Sequence, residues 1–155
     1  MTRPTLLNYV TTPYGEKGTL WMAGYHTGID YRAEVGTKIF ATYRGKVVHS
    51  GPGGTYGPAY GNYVVIQSFY NGENRQHLYA HLSKPLVKEG QKVSAGDLIG
   101  LSGQSGNVVG AHLHYEERVF PFNYWSHYRP VFPAWRPAPK KWLDTLLKRI
   151  GLKKK

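Results

Sequence analysis

The chain has 155 residues, enough for one domain with one buried core. It carries no cysteine, which excludes a disulfide scaffold and thiolate zinc ligation, so any metal site must be built from His, Asp or Glu. The formal charge is +11, but residues 140–155 hold seven Lys or Arg against one Asp, so the body is only mildly basic and no nucleic-acid partner is expected.

No apolar run approaches the roughly 18 residues of a membrane span. Nineteen Gly and ten Pro point to frequent turns and short strands, and thirteen Tyr with four Trp argue against disorder. Residues 1–8 hold one basic residue, a Leu6-Leu7 patch and no small-residue cleavage site, which does not read as a secretory leader.

Val10 to Gly15 reads as a short extended lead-in ending in a turn. Thr37–Ala41 and Lys46–His49 read as strands around an Arg44-Gly45 turn. Gly51–Gly61, with five Gly and two Pro, reads as a long loop, a length that in compact domains tends to carry function. Asn62–Tyr70 is a β-branched and aromatic strand, Asn71-Gly72 a hairpin turn and Gln76–His81 the returning strand. Lys92-Val93, Leu98–Leu101 and His112–Phe120 complete an all-β reading, with no helical period before residue 140. The expected architecture is antiparallel sheet with hairpins and long loops around a groove, residues 1–120 forming the domain.

From Pro121 the composition changes. Five prolines interleave with Tyr124, Trp125, Tyr128, Phe132 and Trp135, so residues 121–139 read as a segment wrapping the domain. Trp142, Leu143, Leu146, Leu147 and Ile150 then form one helical stripe among lysines, and residues 140–155 read as a basic amphipathic helix. Such a helix could contact an anionic membrane or wall polymer, or could pack on the domain and leave its lysines in solvent.

His26 and Asp30, four apart, share a side of the chain in helix or strand, and both are zinc-competent. His112-Leu113-His114 in a strand would send both imidazoles to one side and Leu113 to the core. His81 closes a strand in which Gln76, Leu78 and Ala80 face the other way. Taken singly, each is compatible with a surface histidine. One of Glu116 and Glu117 could orient a metal-binding histidine, but the two read more readily as a solvated pair of acids, and His49, His77 and His127 as structural or surface residues.

Together these pieces resemble the M23 family of zinc metallopeptidases, the lysostaphin/LytM-type peptidoglycan hydrolases. The resemblance runs through Thr12-Pro13-Tyr14-Gly15, His26-x-Gly28-x-Asp30-Tyr31, Gly45-x-Val47-Val48 and Tyr60-Gly61-Asn62-Tyr63. It continues through Leu78-Tyr79-Ala80-His81-Leu82-Ser83, Val87-x-x-Gly90-Gln91-x-Val93, Ser102-Gly103-x-Ser105-Gly106 and Gly110-x-His112-Leu113-His114-Tyr115-Glu116, in family order over residues 10–120.

The resemblance implies zinc held by His26, Asp30 and His114, with His81 and His112 as catalytic histidines that are not ligands. It leaves open which of the two does what. Three protein ligands leave a zinc position for water, as catalytic zinc requires. Some family members place a Tyr near the oxyanion; Tyr14 and Tyr25 are candidates, but residues 17–25 do not align clearly and neither is assigned. The implied activity is a zinc endopeptidase of bacterial peptidoglycan, expected to be monomeric. The lack of an export signal suggests a phage endolysin held in the host cytoplasm before lysis. Rival readings are a non-catalytic wall-binding relative, which would be expected to lose ligands, and a protein that permeabilises membranes through its cationic tail. A lipoyl-type carrier hairpin at Gly90–Gly96 would leave His26, Asp30 and the His112/His114 pair unexplained.

Overall fold

The computed structural model describes residues 1–6, 9–121, 125, 127, 128 and 130. Most of the proposed wrapping segment and all of the proposed helix over 140–155 lie outside the described residues. The strands are β1 (Val10–Thr12), β2 (Ile29–Arg32), β3 (Lys38–Phe40), β4 (Gly45–Gly51), β5 (Asn62–Tyr70), β6 (Glu73–Pro85), β7 (Lys92–Val93), β8 (Leu98–Ser102), β9 (His112–Val119) and β10 (His127–Tyr128). Every pairing is antiparallel, in the order β1-β2-β9-β6-β5-β4-β7, as the all-β reading anticipated. The chain between Asp30 and Arg32 is strand, which the sequence reading had not placed there.

The central hairpin forms where the local chemistry asks for it. Asn71 and Gly72 both adopt positive φ (51° and 80°), the conformation of a tight turn whose twist matches its flanking strands. Along β5, Val64 and Ile66 face one side and Tyr63 and Val65 the other, and all four are essentially inaccessible. The first side joins the main core with Tyr79, Leu113, Tyr115, Ile39 and Ile99. The second forms a smaller cluster of Tyr63, Val65, Leu78 and Ala80 beneath Tyr56 and Tyr60 of the 51–61 loop. Each fully buried aliphatic side chain is worth about 1.5–3 kcal/mol, so both faces contribute to stability.

β9 is the backbone of the second face. One of its edges pairs with β6, while the other is shared by β2 (residues 112–115) and β10 (residues 117–118). With neighbours on both edges and loops on both faces, Glu116 and Glu117 are 0% and 2% exposed. The expectation of a solvated acid pair is thereby corrected.

β6 changes partner at its middle. Its pairing with β9 ends at Ala80↔His114 and its pairing with β8 starts at Leu82↔Ser102. His81 sits between, at φ 60°, a left-handed conformation that costs a non-glycine residue about 1–3 kcal/mol. Regular alternation would turn His81 away from the face of Ala80, as the sequence reading had it. The left-handed residue brings it instead to that face, beside His112.

Candidate metal centre

Register brings the first ligand pair together: Asp30 on β2 lies directly opposite His114 on β9. The turn before β2 then lays His26 over both. His26 Nε2, Asp30 Oδ1 and His114 Nδ1 form a triangle with sides of 3.0, 3.1 and 2.8 Å. Gly28 permits this approach, since a Cβ there would meet the Tyr115 carbonyl oxygen at 2.5 Å and His114 Cε1 at 2.8 Å.

The remaining ring nitrogens are engaged in ways that define tautomers. His26 Nδ1–H donates to the Pro13 carbonyl at 3.1 Å, because a carbonyl can only accept. His114 Nε2–H donates to the Glu116 carboxylate at 2.8 Å. The two facing nitrogens therefore turn lone pairs towards each other and towards an anionic oxygen. Such an arrangement repels itself unless a cation sits among the three atoms.

In the metal-free molecule a proton plays that part. Burial opposes the charged forms, but mutual hydrogen bonding outweighs it, raising His114 to about 9 and holding Asp30 well below the usual carboxylate range. A zinc ion with bonds of about 2.1 Å would want its donors roughly 3.4 Å apart in a tetrahedron, only slightly wider than the observed triangle. The donor set, its burial and its tautomers all fit zinc. Among the described residues this is the one group of three His, Asp or Glu side chains whose ligand atoms all lie within 4.8 Å.

Two further histidines border the triangle. The His81 and His112 rings are 4.8 Å apart, and His112 Nε2 lies 3.6 Å from Asp30 Oδ1. His81 Nδ1–H donates to the Ser105 carbonyl and His112 Nδ1–H to the Gly110 carbonyl, both at 2.9 Å, so the neutral form of each ring has its lone pair at Nε2. Burial, with His114 and His112 nearby, pushes His81 down to about 3. It is therefore neutral at physiological pH.

The support for His81 comes from a crossing of two loops. Ser105 Oγ accepts from Asn62 N–H and donates to the Leu82 carbonyl, while Asn107 N–H donates to the Ala59 carbonyl. A Cβ on Gly61 would lie 2.4 Å from the Ser105 carbonyl carbon, so the crossing is backbone on backbone.

Several residues near the site were missed or left open by sequence reasoning. Tyr60, from the long loop, stacks parallel to His81 and donates its hydroxyl to Glu116. Trp21 lies over His26 with ring centroids 5.1 Å apart. Glu116, which the sequence offered as a possible support for a ligand but favoured as a solvated acid, continues the alternation of His112 and His114 on the same face and meets His114. Tyr14 and Tyr25 both direct their hydroxyls at His127, at 2.8 and 3.1 Å, and so tie the lead-in to β10.

The chain is similar to known proteins in both sequence and fold. The model of Peptidase family M23 matches residues 24–129. The peptidoglycan DD-endopeptidase ShyA of Vibrio cholerae is 48% identical over 91 residues, 59% of this chain and 20% of ShyA. The DD-carboxypeptidase/endopeptidase Mpg of Neisseria meningitidis is 36% identical over 118 residues, 75% of this chain and 26% of Mpg. The chain thus spans about a quarter or less of these relatives. Among solved structures, the catalytic domain of lysostaphin from Staphylococcus simulans superposes with TM-score 0.69 at 32% identity, covering 79% of this chain and 90% of that one. A zinc-containing peptidase from Vibrio cholerae gives 0.63 at 33% identity, over 76% and 36% of the respective chains. A variant catalytic domain of the prophage-encoded M23 protein EnpA from Enterococcus faecalis gives 0.65 at 34% identity, over 85% and 98%. With the family matched over more than half its length and the sheet shared with these structures, the chain belongs to peptidase family M23.

Proposed function

We propose that the chain is a zinc-dependent endopeptidase of bacterial peptidoglycan, with His26, Asp30 and His114 as zinc ligands and His81 and His112 as catalytic histidines. The observation that carries the reading is the buried triangle of two imidazole lone pairs and one carboxylate, which requires a cation at its centre. Similarity to a zinc-containing peptidase supports zinc as that cation.

When bound there, zinc supplies Lewis acidity, polarising a carbonyl oxygen and activating water near neutral pH. The chain's own residues do the rest. Asp30, His26 and His114 would hold the ion, and His81 and His112, which border the same triangle, would face the substrate bound there. The Nε2 lone pair of one of the two, His81 or His112, would accept the proton that the attacking water gives up. Once protonated, either ring donates at Nε2 to the developing oxyanion or to the departing amine. Their Nδ1–H bonds to backbone carbonyls prevent the rings from turning during that exchange.

For the substrate we favour stem-peptide bonds that involve D-amino acids, supported by similarity to ShyA and Mpg, whose names describe DD-endopeptidases. The test is mass spectrometry of purified peptidoglycan, directly cross-linked or glycyl-bridged, with chelator or with restored zinc. New termini at the D-amino-acid cross-link that vanish with chelator and return with zinc are expected. Cleavage confined to glycyl bridges would refute the bond assignment, and no cleavage with zinc confirmed bound would refute the enzyme.

A phage endolysin role is our reading of its setting, supported by similarity to a prophage-encoded protein. Expression in the bacterial cytoplasm should lyse cells only when a hole-forming membrane protein is supplied. Lysis that does not depend on that protein would overturn the setting.

A further inference from the structure

β9 carries a second polar pair on the groove face, directly after the candidate ligand His114: Glu116 and Arg118, both 0% exposed. Burying two charges is expensive and often no more stabilising than an apolar pair, so their presence invites an explanation beyond the fold.

The explanation lies in how the carboxylate is divided. Oε2 accepts from Arg118 Nε at 2.6 Å and Nη2 at 2.5 Å. Oε1 accepts from His114 Nε2–H at 2.8 Å, Thr27 Oγ1–H at 2.7 Å and Tyr60 O–H at 3.0 Å. A buried carboxylate needs partners at both oxygens, and here one of those at Oε1 is the ring nitrogen of the candidate ligand His114 that faces away from His26 and Asp30. Thr27 and Gly28, from between the candidate ligands, close over it, with the ideal Cβ of Gly28 only 2.8 Å from Glu116 Cγ.

We propose that Glu116 is a positioning residue of the metal centre. Its Oε1 fixes the tautomer and rotation of His114, so that Nδ1 faces His26 and Asp30. Arg118 holds the other oxygen, Oε2, and so fixes the carboxylate's orientation. The inference rests on the zinc reading above. A neutral acceptor would hold the ring less firmly, and no acceptor would free the ring to flip or to carry its proton on Nδ1, where it blocks ligation. Such supporting partners are typically worth about 10- to 100-fold in metal affinity.

The test compares three forms of the full chain: the natural protein, Glu116→Gln, and the double variant Glu116→Leu with Arg118→Met. The double variant removes both charges together and leaves no buried ion unpaired. Zinc affinity is read by competition with a chromophoric chelator, ligand geometry by the visible spectrum of the cobalt-substituted protein, and folding by the melting temperature of the metal-free protein. The expected result is one zinc bound tightly by the natural protein, intermediate affinity for Glu116→Gln, and 10- to 100-fold weaker binding with an altered cobalt spectrum for the double variant, at similar metal-free melting temperature. Equal affinity within threefold across all three forms would overturn the proposal. Should the double variant fail to fold, Glu116→Gln decides: threefold or more weakening at unchanged metal-free stability supports the proposal, and anything less overturns it. Absence of zinc from the natural protein would instead refute the zinc reading, which keeps the two failures distinct.

Discussion

Two buried histidines lie on opposite faces of the central sheet, His77 on the core side and His114 on the groove side. His77 Nε2 meets Ser68 Oγ at 2.6 Å, its Nδ1 meets the Tyr115 hydroxyl at 2.9 Å, and its ring stacks on Tyr43. Hydroxyls can donate or accept, so this imidazole is satisfied as a neutral ring. Burial, with Arg75 nearby, pushes it down to about 3. His114 has carboxylates at both nitrogens, and carboxylates only accept. Its surroundings therefore call for a positive charge, whether proton or metal. The same side chain in the same sheet is structural or metal-competent according to whether its neighbours can donate.

The sharpest way to break this contrast is to remove a candidate ligand. Asp30→Ala or His114→Ala should lower bound zinc from one per chain to below detection and abolish wall cleavage, as read by elemental analysis and peptide release. Retained zinc in either variant would refute the assignment. His81→Ala and His112→Ala should keep zinc but lower kcat by about 10²–10⁴-fold, the usual worth of a positioned acid–base group. A variant at either position with natural kcat would exclude that histidine from the chemistry.

Gly61→Ala probes the loop crossing that supports His81. The left-handed φ of 64° and the 2.4 Å approach to Ser105 should destabilise the protein by about 1–3 kcal/mol. Because the Ser105 carbonyl holds His81, kcat should fall while zinc affinity stays within twofold. Weaker zinc binding instead would show that the crossing supports the triangle.

The last test concerns stability alone, through His77 and pH. The unfolded chain protonates this group near 6.5 and the folded protein only near 3, so between those values the unfolded state binds the additional proton. Stability should therefore fall as pH drops from about 6.5 towards 3, with up to about 1.4 kcal/mol per pH unit from this one residue. His77→Gln should flatten the slope of denaturant-derived stability by about that amount, and an unchanged slope would contradict a neutral, buried His77.

Much of the sheet was legible locally. Asn62–Tyr70, the Asn71-Gly72 turn and Lys92-Val93 occupy the expected residues, because β-branched runs and turn chemistry act over a few neighbouring positions. The spacing of His112 and His114 correctly put Leu113 in the core, and the motif singled out five side chains that the fold assembles. Two things were decided only by the tertiary structure. His81 reaches the groove because β6 changes partner beside it and the backbone turns left-handed there, a consequence of strand pairing that strict alternation cannot anticipate. Glu116 is buried rather than solvated because β9 gains neighbours on both edges and a lid from the 51–61 loop. Alternation assigns a side chain to a face; only the elements that come to cover that face determine whether it meets water, a hydroxyl or a charge.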